Sequence, residues 1–423
     1  KVGPDYIDPG YHALACGRPG RNLDPHLVGE DLVVPLLLHG ASVPVPADVA
    51  VVEGVMGLYD GRIGGNGFSS TAHVAALTRT PVVLVVDISR STRSIGAVVH
   101  GMATWDPTVE VAGVILNQAG SARHADEVRS SIDLPVLGVI PRDRSIATPS
   151  RHLGLVTAAE RGESEAVVAR LAEVMTEHVD LDGVLEIART ARPLDATPWS
   201  PARTAGGSRS DRLEAPGSPL PTGPARPRVA VAAGRAFTFR YAETSELLEA
   251  AGCEVVAFDP AHDTALPPGT AGLYLGGGFP EVHAADLSGN AALRAEIRTA
   301  VLDGLPTVAE CAGLLYLCRT LDGVPMAGVI DADAAMTERL TLRYPSAEAV
   351  ADTLLTRVGD KVTGHEFHRT TVTPTTSGTP AWSVDGAAIG FASATLHASY
   401  LHTHWAGHPQ LAHRFAEAVT ARG

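Results

Sequence analysis

The stretch between Pro193 and Pro227 cannot belong to a packed core. It reads PWSPARTAGGSRSDRLEAPGSPLPTGPARP over most of its length, with too little apolar surface to offset the entropy of ordering it, the composition of a flexible linker. On its N-terminal side, from Asp48 to Glu160, short β-branched runs alternate with helical stretches: Val49–Val52, Val82–Val86, Val111–Leu116 and Val136–Ile140. Beyond it the alternation resumes with Val229–Ala232, a helix near Glu243–Ala251, and strands at Glu254–Phe258 and Gly272–Leu275. Uninterrupted apolar strands suit a parallel sheet covered on both faces. The sequence therefore predicts two α/β domains, 1–192 and 228–423, joined by the linker 193–227.

Composition narrows the function. With 423 residues, 45 % hydrophobic and 19 % charged, the chain can bury a large core and is too long for one ordinary domain. A formal charge of -14 repels polyphosphate backbones, which argues against nucleic acid as a partner. No apolar run of membrane-spanning length and no basic-then-apolar leader occurs, so a soluble, cytoplasmic protein without a membrane partner is expected. Cys16, Cys253, Cys311 and Cys318 are too scattered for a disulfide framework or a zinc site. Lysine occurs only at Lys1 and Lys361, and the sequence starts on Lys1 rather than methionine.

Cys311 lies between a short apolar strand and an amphipathic helix, Leu305-Pro-Thr-Val-Ala-Glu-Cys-Ala-Gly-Leu-Leu-Tyr-Leu-Cys318. A strand-to-helix turn presents such a side chain on a tight elbow, with Gly313 allowing close packing. The unpaired amides and dipole of the helix start should lower the thiol pKa. Cys318 reads as a buried structural thiol. Upstream, Gly276-Gly-Gly-Phe-Pro-Glu281 forms a bend whose backbone amides can face an oxyanion. Downstream, Ala398-Ser-Tyr-Leu-His402-Thr-His404-Trp brings a histidine to a strand end, the base a thiol needs.

In that order, these three motifs resemble the class I glutamine amidotransferase domain of the cobyrinic (hydrogenobyrinic) acid a,c-diamide synthase family. The resemblance implies that Cys311 forms a glutamyl thioester, that His402 is its general base, and that Gly277 and Ala312 supply the oxyanion amides. His404 sits where many class I amidotransferases carry the glutamate that orients the histidine. Gly364-His-Glu-Phe-His-Arg369 lacks metalloprotease spacing, and in the family such a segment lies near the glutaminase site as structural support.

Carboxylate activation needs ATP, magnesium and acids to hold it. Glu53 ends the apolar run Val49–Val52 and Asp60 lies in the following loop, at the strand ends where open α/β sheets place their sites. Lys1-Val-Gly-Pro-Asp-Tyr-Ile-Asp8-Pro-Gly-Tyr-His12, Glu53 to Gly61, Gly138-Val-Ile-Pro-Arg and Arg151-His-Leu-Gly-Leu resemble the synthetase domain of the same family. The resemblance implies two doubly wound domains, the first P-loop-NTPase-like and akin to dethiobiotin synthetase. Asp5, Asp8, Glu53 and Asp60 would line the site for ATP, magnesium and corrinoid carboxylate, with Glu53 on the metal and Asn117 reading adenine. The partners implied are glutamine, ATP and a corrinoid macrocycle, and a homodimer is compatible with them. No Gly-x-x-x-x-Gly-Lys-Ser/Thr motif occurs, and Gly61-Arg-Ile-Gly-Gly-Asn-Gly-Phe-Ser-Ser70 carries no lysine. The sequence is therefore expected to begin after the first strand and phosphate loop and to bind ATP poorly as it stands. Two other readings remain: a cobyric acid synthase, which amidates other side chains of the ring, and a non-catalytic binding protein without a phosphate loop.

Overall fold

The computed structural model describes residues 1–143, 150–151, 154–158, 164–204 and 226–423. Two compact units form: Lys1–Pro25 with Gly29–Trp199, and His26–Val28 with Ser200–Gly423.

In the first unit β1 (Val82–Asp87), β2 (Val111–Ala119) and β3 (Val136–Pro141) make a three-stranded parallel sheet in the order β1-β2-β3. Helices Ser94–Thr104 and Ala122–Arg129 follow β1 and β2. Leu84, Ile88, Val99, Val114, Leu116 and Val128 pack into one core between strands and helices. Ser70 caps helix Thr71–Thr78 by accepting the His73 N–H at 3.1 Å, which ends the glycine-rich loop in a defined helix start. The expected strand Val49–Val52 is irregular chain instead. A strand exists through its ladder, and this run has no strand partner among the described residues.

The expected linker is partly packed. Trp199 is 5 % exposed, its ring edge-on to His39 at 5.0 Å, and its backbone N–H donates to the Pro35 carbonyl at 2.9 Å. Pro201–Thr204 then forms one helical turn, so ordered chain continues to Thr204. Residues 205–225, and His152–Leu153 of the Arg-His-Leu-Gly-Leu motif, lie outside the described residues.

The second unit carries two sheets. The first contains β4 (Arg228–Ala232), β5 (Glu254–Phe258), β6 (Thr270–Leu275), β7 (Thr307–Glu310), β10 (Phe391–Ala392) and β11 (Leu396–Ser399), in the order β10-β11-β7-β6-β4-β5, parallel except at β10. The second, eight-stranded and largely antiparallel, was not foreseen. Its long strands are β8 (Asp333–Arg343) and β9 (Lys361–Thr373), and the short β12 (His402–Thr403) pairs with β9. Leu273, Leu275, Ala309, Leu314 and Leu317 belong to a core that fixes β6, β7 and the helix after β7 against one another.

Candidate active site

All four residues of β7 are buried, and the chain turns from it into helix Ala312–Leu317 at Cys311. Cys311 has φ 48° and ψ -97°, a backbone region that costs a non-glycine residue about 1–3 kcal/mol and persists only when its surroundings hold it there. They do so on two sides. The Cys311 N–H donates to the Ser399 carbonyl at the end of β11, at 2.8 Å, and the Gly313 N–H donates to the Gly276 carbonyl at 3.0 Å. A Cβ on Gly313 would stand 2.3 Å from the Leu275 carbonyl oxygen, so glycine is required where elbow and bend meet.

The electrostatics reverse one expectation. Cys311 is 7 % exposed, and burial raises its thiol pKa far above the ordinary value, with the carboxylates of Glu281, Glu366 and Glu310 pushing the same way. The backbone hydrogen bond from Ala312 acts in the opposite direction and is outweighed. Cys311 therefore rests as the thiol, and a reaction at its sulfur would need a base. Cys318, pushed up to about 12 by burial, bonds the Leu314 carbonyl at 3.3 Å, as a structural thiol would.

His402 is 2 % exposed and reaches this place through β12. Its ring packs so closely on the bend that a Cβ on Gly277 would lie 2.6 Å from His402 Cε1. Elbow and imidazole thus border the same three glycines. Phe239 meets the ring edge-on at 4.9 Å, and His365 of β9 stacks on it at 4.8 Å with 15° between planes. Burial, reinforced by neighbouring histidines, holds His365 well below its usual pKa, so it is neutral.

Gly277 is not a free amide: its N–H donates to the Phe239 carbonyl at 3.0 Å, and its carbonyl accepts the Phe239 N–H at 3.1 Å. This corrects its assignment to the oxyanion hole. Among the described residues the Gly278 N–H makes no backbone hydrogen bond, so it and the Ala312 N–H, which lies against the Cys311 sulfur, are the candidate amides. His404 is also displaced from the expected role. It is fully buried, tilted on Tyr241 at 4.2 Å, with Nε2 3.5 Å from Glu243 Oε2. It engages Glu243, not His402.

Two acids missed in the sequence surround the thiol. Glu310, one residue before it, accepts from the Tyr274 hydroxyl at 2.9 Å and from the Thr403 hydroxyl at 3.1 Å. Glu366, inside the His-Glu-Phe-His segment, is 3 % exposed and accepts from Arg343 Nε at 2.8 Å. Burial alone would raise its pKa, but the His368 imidazole 3.9 Å away and the hydrogen bond from Arg343 bring it below the usual carboxylate range. The signal available for Glu310 was its place beside Cys311; for Glu366 it was the Gly364–Arg369 segment, read as structural support near the site.

In the first unit Asp5, Asp8 and Glu53 do come together, around Lys1. Its Nζ lies 2.6 Å from Asp8 Oδ2, 3.3 Å from Glu53 Oε1 and 3.7 Å from Asp5 Oδ2, and it donates to the Gly54 carbonyl at 3.0 Å. The other Glu53 oxygen is 2.6 Å from His12 Nε2. Among the described residues no cluster of acids, histidines and cysteines is arranged to hold a metal ion. Glu53, the magnesium ligand expected from the resemblance, has its two oxygens against Lys1 and His12. Asp60 joins no member of this cluster: its carboxylate accepts the Gly57 N–H at 3.1 Å and closes a turn. Asn117 is level with Asp87 near the C-terminal end of β2, its side-chain oxygen accepting the Gln118 N–H at 2.8 Å.

Comparison with known proteins agrees with both halves of the chain. A family model described as a CobB/CobQ-like glutamine amidotransferase domain matches residues 228–410, and one described as an AAA domain matches residues 22–150. The hydrogenobyrinate a,c-diamide synthase of Thermobifida fusca is 60 % identical over 434 residues, covering 100 % of this chain and 90 % of that protein. That of Streptomyces coelicolor is 52 % identical over 99 % of this chain and 90 % of its own length. The cobyrinate a,c-diamide synthase of Dehalococcoides mccartyi strain CBDB1 is 39 % identical over 98 % of this chain and 90 % of its own.

Proposed function

The chain belongs to the hydrogenobyrinate and cobyrinate a,c-diamide synthases, and on that basis we propose that it amidates the a and c acetate carboxylates of hydrogenobyrinate in cobalamin biosynthesis, with ammonia cut from glutamine at Cys311. The observation that carries the glutaminase half is the elbow: a strained Cys311 and the His402 ring border one glycine bend. The cobalt-free macrocycle is favoured because relatives named for it are 60 % and 52 % identical, against 39 % for one named for cobyrinate.

The chemistry follows from a protonated thiol. As Sγ attacks the δ-carbonyl of glutamine, His402 takes the thiol proton, and the amides of Ala312 and Gly278 receive the negative oxygen. His402 returns the proton to the leaving nitrogen, ammonia departs, and a glutamyl thioester remains. Water, deprotonated by the same imidazole, then releases glutamate and the thiol.

The first unit is the synthetase. ATP transfers its γ-phosphoryl group to a ring carboxylate, ammonia attacks the acyl phosphate, and phosphate leaves. Lys1, with Asp5, Asp8 and Glu53 around it, is the charged group placed to meet the phosphorylated carboxylate. Asn117 remains assigned to the nucleotide side through its place near the C-terminal end of β2, and Asp60, which closes a turn, through the family resemblance alone. Magnesium would accompany ATP, and carboxylate oxygens are its usual donors. Those of this cluster close on Lys1, so no metal ligand is assigned and no step is routed through the ion. No helix among the described residues is long and apolar enough to cross a membrane. We place the enzyme in the cytoplasm, where its four cysteines, all free, stay reduced.

Cys311→Ala is expected to abolish glutamine-dependent amidation and to leave amidation from free ammonia intact, read by mass spectrometry of the macrocycle. Retained glutamine hydrolysis would remove Cys311 from the reaction. Supplying hydrogenobyrinate and cobyrinate separately decides the substrate.

A further inference from the structure

The nucleophile's immediate neighbour also has a place in the reaction. Where many enzymes of this type carry a glutamate two residues after the histidine, this chain has His404, which is engaged with Glu243. His402 would then have no acid to orient it. Its Nδ1 is buried and makes no hydrogen bond in the structure. Among the described residues one anion stands against it: Glu310 Oε2, at 3.6 Å.

We propose that Glu310 is the positioning residue for His402, so that the orienting acid and the nucleophile are consecutive residues and the imidazole comes from β12. The assignment rests on Cys311 and His402 being the glutaminase pair. Three features support it. Glu310 is 5 % exposed, and its carboxylate is fixed from both ends. Oε1 accepts from the Thr403 N–H at 3.3 Å and the Thr403 hydroxyl at 3.1 Å, while Oε2 accepts from Tyr274. Thr403 adjoins His402, so the same contacts that hold the acid also hold the strand carrying the base. The strained elbow is the second feature. Cys311 departs from the extended path of β7, which lets consecutive side chains serve one site although residues along a strand alternate faces.

The third feature is charge. When His402 takes the thiol proton, a buried cation forms beside a neutral His365, with Phe239 and the Gly277 backbone covering the rest of the ring. His404, two residues along the same chain, faces Glu243. Glu310 is the anion in contact with the imidazolium, with Tyr274 tempering it through Oε2. The 3.6 Å gap is the looser spacing that resting sites show before substrate tightens them.

The test uses the active enzyme and three variants. Glu310→Gln should lower kcat for glutamine on the order of 100-fold, with little change in KM for glutamine. Its acidic limb of kcat/KM should move to lower pH, because the charge that favours the imidazolium is gone. Amidation from free ammonia should stay normal, which also reports that the variant is folded. Tyr274→Phe, which keeps the core shape, should move the same limb to higher pH, since Oε2 then gives its full charge to the imidazole. A Glu310→Gln enzyme with normal glutamine kcat and pH profile overturns the proposal, as does equal loss with both nitrogen sources. Should Glu310→Gln fail to fold, a Tyr274→Phe profile unshifted or shifted downward overturns it. His402→Ala separates the two readings: if it keeps glutamine hydrolysis, the Cys311–His402 assignment fails; if it loses hydrolysis while Glu310→Gln does not, only the role of Glu310 fails.

Discussion

The chain assembles acidic side chains in two places and uses them in opposite ways. In the first unit Asp5, Asp8 and Glu53 surround the amine of Lys1, and the Glu53 side chain stays 47 % exposed. Mutual charge overrides burial at Lys1: desolvation would lower its pKa, but the hydrogen bond it donates to Asp8 and the charges of Asp8, Glu53 and Asp5 together raise it. In the second unit Glu281, Glu310 and Glu366 act on the Cys311 thiol in the same direction as burial, which dominates. One site holds opposite charges against one another, as the proposed phosphorylated substrate would require. The other keeps its thiol neutral, as the proposed proton transfer to His402 would require. The lesson is that acids near a reactive group have no fixed meaning; the dielectric around them and the presence of a cation decide.

The sharpest way to break that contrast is at Gly277, where a methyl group would stand 2.6 Å from His402 Cε1. Gly277→Ala must shift the imidazole or the bend. We expect glutamine hydrolysis to fall on the order of 1,000-fold, as when oxyanion and base geometry are lost together. Amidation from free ammonia should be unaffected. Hydrolysis within threefold of wild type would show that the bend and the ring are not a fixed pair.

Much of this second site was legible because its nucleophile is local. Strand, cysteine and helix are contiguous in sequence, so the elbow can be read directly, and β4, β5 and β6 were placed the same way. The resonances across the chain were not legible. Gly277 loses its amide to Phe239, and the thiol is raised by Glu366, each from a segment far away. Strand β9 escaped notice because its alternation is broken where it matters: His365, Glu366 and His368 fill buried positions that apolar residues would normally mark. In the first unit Val49–Val52 shows the converse error. A β-branched run has the propensity for a strand but becomes one only beside a partner.

A second measurement tests whether burial governs the second site. Arg343 is the cation bonded to Glu366, whose carboxyl is held below its usual range. Replacing it by methionine leaves a buried carboxylate without that partner, a cost of about 3 kcal/mol if fully buried and about 2 after allowing for the 41 % exposure of Arg343. The sign of the pH dependence is fixed. A depressed carboxyl stabilises the fold above its unfolded pKa, and that stability is lost as pH falls through the folded value. Arg343→Met should therefore differ most from wild type in urea unfolding above about pH 5. The gap should close below the ordinary carboxylate range. A constant gap across that window would mean that Arg343 acts by packing alone.

The smallest expected effect lies in the first unit. Glu53 bonds both Lys1 and His12, and both contacts are partly solvated. Glu53→Gln keeps the shape and removes the charge. Lys1 retains Asp8 at 2.6 Å, so its amine stays in place and the unit stays folded. Amidation should fall on the order of tenfold with glutamine and with free ammonia alike, a loss of about 1.4 kcal/mol in transition-state stabilisation. Glutamine hydrolysis should not change, because none of the contacts of Glu53 reaches the thiol. If hydrolysis fell in step with amidation, the two acidic sites would not be independent. If amidation were unchanged, the charge that matters around Lys1 would be that of Asp8 and Asp5.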